Sequence, residues 1–130
     1  METRVIIINE QGSPSVMKED KIELHPPGKG EVLLRQTAIG LNYMDVYQRS
    51  GYYPLDLPSG LGLEAAGVVE AVGEGVDDLR EGDRAAYGGS APGAYAEYRN
   101  MPASRLVKVP NSISDEQSAA LMLKGMTVEY

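Results

Sequence analysis

Residues 38–73 read AIGLNYMDVYQRSGYYPLDLPSGLGLEAAGVVEAVG. Two apolar, alternating runs bracket this stretch: 31–39 (EVLLRQTAI) leads into it and 65–72 leads out. Alternation of this kind is the pattern of half-buried strands. The middle breaks the pattern. It carries Asn42, Asp45, Tyr47, Gln48, Tyr52 and Tyr53, the densest group of hydrogen-bonding side chains in the chain, followed by the isolated carboxylate Glu64. Asn42 is placed to cap a short helix over 43–50, with Asp45 at its third position near the positive end of the helix dipole and Gly51 as its stop. Residues 54–62 hold two prolines and two glycines and read as loop. Polar and aromatic side chains on a segment held between two strands are where function tends to sit.

Working outward, composition sets the bounds. A chain of 130 residues is one domain with a modest core. Its net charge of −7 disfavours nucleic acid or an anionic membrane as partner, since both require a basic face. No apolar run is long enough to span a bilayer, and 1–8 is too short for a signal peptide. Cysteine is absent, which excludes disulfides and thiolate metal sites; a cytoplasmic protein is the simplest reading. Phe and Trp are also absent, so Tyr, Leu, Ile, Val and Met must fill the core. The 15 glycines and 8 prolines imply many turns and favour a mainly β fold.

Before the central stretch, 3–9 reads as a strand, 11–14 as a turn, and 16–17 and 21–24 as short strands. Residues 26–30 (PPGKG) form a loop, because neither proline can donate to a ladder. After it, strands are expected at 84–87, 94–99 and 106–109, with a turn-rich connection at 73–82 and a tight loop at 88–93. Ser114 with Gln117 gives a capping-box pattern that opens an apolar helix running to Tyr130. A helix this apolar packs on something: either it folds back on the strands, or the natural protein continues.

The blocks Gly40-Leu41-Asn42-Tyr43-Met44-Asp45 and Pro58-Ser59-Gly60-Leu61-Gly62-Leu63-Glu64-Ala65-Ala66-Gly67 resemble the medium-chain dehydrogenase/reductase superfamily. Val72-Gly73, Gly82-Asp83-Arg84, 93–98 and 123–127 fit the same pattern. Within the superfamily the chain is most similar to the zinc-free NADPH:quinone oxidoreductases. The resemblance implies a GroES-like, partly open β-barrel with a few short helices and a C-terminal helix. It makes 1–112 the substrate-side domain and 113–130 the start of the helix leading to a cofactor-binding domain absent from this chain. The complete enzyme would be a homodimer, and this piece alone would be inactive. No strand–GxGxxG–helix unit occurs here; Gly73-Glu74-Gly75 lies in a turn with no helix after it.

In the zinc-dependent relatives the positions matching Asn42 and Leu63 carry a Cys and a His ligand. Here one is an amide and the other a hydrocarbon, so the expectation is no zinc. Asn42 has two readings, helix cap and direct contact with NADPH, and they can coexist. Asp45 either serves the helix end or orients Asn42 or Tyr47 at the cofactor. Glu64 reads as a buried carboxylate satisfied by a backbone donor or an Arg; the resemblance would instead set it at the floor of the cleft, and the structural role is preferred. Tyr47 and Tyr53 are the candidates for chemistry, each offering a flat face and a hydroxyl donor, with half-buried packing as the alternative. Tyr47 also falls among the cofactor contacts, as does Thr127, which the resemblance brings with Lys124 near the nicotinamide end. His25, followed by two prolines, reads as surface. The implied reaction is hydride transfer from NADPH to a quinone or related α,β-unsaturated carbonyl. An enone or alkenal reductase, or a free-standing GroES-like binding module without catalysis, are the other classes this sequence admits.

Overall fold

A computed structural model describes residues 1–89 and 91–129, with the last four described in backbone only. Among the described residues, eight strands and two α-helices follow in order: β1 (Glu2–Ile8), β2 (Met17–Glu23), β3 (Glu31–Gly40), α1 (Tyr43–Ser50), β4 (Ser59–Gly60), β5 (Glu64–Val72), β6 (Arg84–Gly88), β7 (Tyr98–Pro102), β8 (Val107–Lys108) and α2 (Asp115–Glu129). They form two antiparallel sheets, ordered β2-β1-β4 and β7-β3-β5-β6-β8. The fold is mainly β, as expected, and the sheets do not close into a barrel.

The segment 94–97 joins them. It was expected to be a strand, but it makes only an isolated bridge, Val5 with Ala96. Its backbone bonds are split between partners: the Ile6 N–H donates to Tyr95 O, Glu97 N–H to Arg4 O, and Gln36 N–H to Glu97 O. A crossing piece that serves both sheets cannot run a full ladder with either. The N-terminal expectation also changes: 14–16 is a 3₁₀ turn and β2 is continuous from Met17 to Glu23. Every residue of β2 is exposed, so no apolar alternation marked it. Its charged side chains suit an edge strand that must not pair with another chain.

Inside the five-stranded sheet, Val32, Leu34, Ala65, Val69, Leu79, Tyr87 and Met101 form the main core. With no Phe or Trp available, Tyr87 is the largest fully buried side chain among the described residues. Its hydroxyl donates to Gln36 Oε1 at 2.5 Å and accepts from Arg99 Nη1 at 3.1 Å. On the opposite face Ala38, Ala66 and Ala86 leave room for α2, which seats Ala119 against them.

The start of α2 is fixed by its capping box. Gln117 N–H donates to Ser114 Oγ at 3.1 Å, and Ser114 N–H donates to Gln117 Oε1 at 3.0 Å. Asp115 then accepts from Thr37 Oγ1 at 2.6 Å and from the Arg84 guanidinium at 2.8 and 3.0 Å. The Thr37 hydroxyl first, and Arg84 second, hold the Asp115 carboxyl below the ordinary carboxylate range. A depressed carboxylate stabilises the fold above its unfolded-chain value and loses that contribution as pH falls through the folded one. Asp115→Asn should therefore lower Tm at neutral pH. The gap to the parent chain should narrow as pH drops below 3.8, because protonation then removes from the parent what the amide already lacks. Melting curves between pH 7 and pH 3 check this, and a gap that stays constant contradicts it.

Candidate functional site

The short helix α1 spans Tyr43–Ser50, as the cap and stop residues predict, and Gly51 ends it at φ +96°. Helical spacing stacks Tyr43 and Tyr47 one turn apart, with ring centroids 6.0 Å apart. Beyond Gly51 the chain doubles back, and Tyr53 N–H donates to Tyr47 O at 3.2 Å. That return sets Tyr52 and Tyr53 against Tyr47 at 5.0 and 5.5 Å, with Tyr53 edge-on. Tyr47 is thus the hub of four tyrosines. It and Tyr53 are 37% and 41% exposed, whereas Tyr43 and Tyr52 stand out at 76% and 73%. The inner pair are the two that sequence reasoning favoured.

Gln11 fixes the doubled-back loop. Its Nε2 donates to Gln48 O and Tyr53 O, both at 2.8 Å, while Gly12 N–H donates to Arg49 O at 2.8 Å. Nothing in the local pattern flagged Gln11, because its partners are 37 and 42 residues away.

Asn42 and Asp45 stand at the head of the same helix. Asn42 is extended (φ −131°, ψ 154°) at the cap position, and its backbone N–H donates to Asp45 Oδ2 at 3.1 Å. Asp45 is buried, 3% exposed, and the same oxygen accepts from the Tyr95 hydroxyl at 2.6 Å. Burial, reinforced by the Asp45 carboxylate, pushes the Tyr95 phenol well above its usual value, so it stays a donor. Gly62 makes room for that tyrosine: its φ is +93°, and a Cβ there would lie 2.6 Å from the Tyr95 ring.

The side-chain amide of Asn42 faces inward. Its Nδ2 donates to Glu64 Oε1 at 2.8 Å, and its Oδ1 accepts from Lys124 Nζ at 3.0 Å. Glu64 has no exposed surface. Its second oxygen accepts the Leu123 N–H of α2 at 2.7 Å, and Lys124 Nζ is 3.8 Å from the first. The expectation of a buried carboxylate served by a backbone donor matches this geometry. Leu63 is buried beside it, 9% exposed. Thr127 lies outside the residues whose side chains are described. His25 is exposed, with Nδ1 2.8 Å from Pro26 O. Two cavities of about 360 Å³ lie elsewhere: one bounded by Val5, Ile39 and Tyr95, the other by Val107, Ile113 and Leu121; none of the four tyrosines lines either. Among the described residues no three of His, Cys, Asp or Glu gather as a metal site, and no helix is long and apolar enough to cross a membrane.

The profile of the alcohol dehydrogenase GroES-like domain matches residues 28–111, most of the chain and all of its five-stranded sheet. The chain belongs to that family. This GroES-like domain is 48% identical to a quinone oxidoreductase of Pseudomonas aeruginosa, over 92% of its own length and 37% of the relative's. It is 42% identical to a 2-haloacrylate reductase of Burkholderia, covering 95% and 39% of the two chains. Its backbone matches the Escherichia coli quinone oxidoreductase solved with NADPH at a TM-score of 0.94, with 44% identity over 98% of this chain and 39% of that one. The domain thus spans about two fifths of the length of these relatives.

Gly40 is what lets Glu64 and α2 approach in the GroES-like domain. A Cβ at Gly40 would lie 2.5 Å from both Glu64 Oε1 and the Ala119 carbonyl oxygen. Gly→Ala removes unfolded-state entropy worth about 0.4–1 kcal/mol, but overpacking costs about 1–3 kcal/mol. The second effect should win. Gly40→Ala should destabilise the fold by roughly 1–2 kcal/mol in urea unfolding; a variant as stable as the parent would contradict the close contact.

Proposed function

We propose that this chain is the substrate-side domain of an oxidoreductase that moves a hydride from NADPH to a quinone or related α,β-unsaturated carbonyl without using zinc. In this reading 1–112 form that domain, and the helix from 113 onward leads to a cofactor-binding domain. The complete enzyme is read as a cytoplasmic homodimer. The observation that carries the reading is the tyrosine patch around Tyr47, on the helix headed by the held Asn42 amide, in a chain that aligns over 92% and 98% of its length with two quinone oxidoreductases.

The residues fit the group. After Glu64 and Lys124 each take one hydrogen bond, the Asn42 amide keeps one N–H for a cofactor edge. Two half-exposed phenol rings, Tyr47 and Tyr53, offer flat apolar faces with donors at their tips. Bound NADPH supplies the hydride. The chain's own part is to hold the flat acceptor against the rings, to keep water from that face, and to donate from a tyrosine hydroxyl to the oxygen that gains negative charge. Asp45 acts through its neighbours, holding Asn42 and Tyr95 in place, and Thr127 remains a cofactor contact by resemblance.

Zinc does not fit. Leu63 has no donor atom, and the Asn42 amide is already committed to Glu64 and Lys124. An electron-poor quinone suits such a site, because weak polarisation of its carbonyl is sufficient. The similarity to a 2-haloacrylate reductase supports keeping activated alkenes in the substrate class.

Removing only the Tyr53 hydroxyl in the complete enzyme deletes one hydrogen bond and leaves the ring. At about 0.5–1.5 kcal/mol for a neutral hydrogen bond, Tyr53→Phe should lower kcat/KM for a quinone by roughly two- to ten-fold. Tyr53→Ala should lower it further. Both variants are compared with their melting temperatures. Unchanged kcat/KM in both, or losses that merely follow stability, would contradict the role.

A further inference from the structure

Lys124 lies on α2, 82 residues from Asn42, yet its side chain ends among three acceptors of the site. Nζ donates to Asn42 Oδ1 at 3.0 Å and to Leu41 O at 3.4 Å, and stands 3.8 Å from Glu64 Oε1. The other end of the same amide donates to Glu64 at 2.8 Å. We infer that Lys124 and Glu64 are positioning residues: a donor-only group and an acceptor-only group that lock the Asn42 carboxamide in one orientation and so decide which edge it shows a ligand. The consequence for the cofactor rests on the reading of Asn42 given above.

The argument is one of matching. A carboxamide has nearly the same shape when flipped, and only its partners tell nitrogen from oxygen. A lysine ammonium has three donors and no acceptor, and a carboxylate only accepts. Flipping Asn42 would set its NH₂ against the ammonium and its oxygen against the carboxylate. Glu64 is fully buried, where a mismatched polar contact is most unfavourable. With the lock closed, the remaining N–H keeps a fixed place.

Stability alone does not account for Lys124. Its side chain is 59% exposed, and ion pairs that open to solvent contribute little to folding. Placement is the better account, because Leu123 and Lys124 are adjacent on α2 and grip the two halves of one pair. Leu123 N–H holds Glu64 while Lys124 holds Asn42. The position of α2 is thereby transmitted to the amide.

The test follows the Asn42 side-chain NH₂ resonances of the ¹⁵N-labelled chain by NMR, beside NADPH affinity of the complete enzyme by fluorescence titration. Lys124→Met keeps the stem and removes the donor. It should leave Tm nearly unchanged, shift the Asn42 NH₂ pair, and speed its exchange with water. Lys124→Arg should restore the parent pattern. In the complete enzyme Lys124→Met should weaken NADPH binding by about two- to ten-fold, the range of one hydrogen bond. Lys124→Gln serves the same comparison if the Met variant does not fold. Asn42 resonances that coincide in parent and Lys124→Met overturn the lock. Resonances that shift while NADPH affinity stays at the parent value uphold the lock and overturn Asn42 as a cofactor contact.

Discussion

A carboxylate with no exposed surface joins four elements of this domain. Glu64 opens β5 and pairs through its backbone with Gly40 on β3 and Gly88 on β6, while its side chain takes hydrogen bonds from Asn42 at the head of α1 and from the middle of α2. Burying an unpaired carboxylate costs several kcal/mol, so the site is stable only with those donors present. That requirement brings the start of α1 and the body of α2 to the same point. Gly40 supplies the missing volume, and Ala66, Ala86 and Ala119 let α2 come close enough for its Leu123 N–H to reach. Hydrogen bonds to charged groups are worth about 1.5–3 kcal/mol, whereas exposed ion pairs are worth about 0–1 kcal/mol. Asn42 and Leu123 therefore carry the anchoring, and Lys124 contributes orientation.

Asp45 repeats the device one layer away. It too is buried, and its single oxygen Oδ2 serves both Asn42 N–H and the Tyr95 hydroxyl. Tyr95 comes from the segment that crosses between the two sheets, so α1 is held from the five-stranded sheet through Glu64 and from the crossing segment through Asp45. The four tyrosines then rest on a helix that is fixed at its head by two buried acids and at its tail by Gln11. Rigid support under a half-exposed aromatic patch is what a stacking surface requires.

Much of this was legible in the sequence where the signal is local. Asn42 before an apolar-polar run and Gly51 after it gave α1 its bounds, and the Ser114–Gln117 box gave the start of α2. The runs at 31–39 and 65–72 differ from β3 and β5 by one residue at one end; β3 begins with buried and half-buried residues in alternation, whereas the start of β5 is buried on both faces and is marked by its run of small and β-branched residues. What stayed hidden depends on partners far along the chain. The segment 94–97 alternates like a strand but divides its bonds between two sheets. β2 has no buried face and left no pattern. The tyrosines could be placed because helix spacing and one glycine bring them together. The Asn42–Glu64–Lys124 group could not, since its members are 22 and 82 residues apart and only the packed fold joins them.

The central claim is that Glu64 and Asn42 work as one unit. A double-mutant cycle in urea unfolding, with Asn42→Ala, Glu64→Ala and the double variant, measures that directly. The account predicts a coupling of about 1.5–3 kcal/mol, the range for a hydrogen bond to a charged group. Additivity within about 0.5 kcal/mol, the behaviour of independent sites, would contradict it.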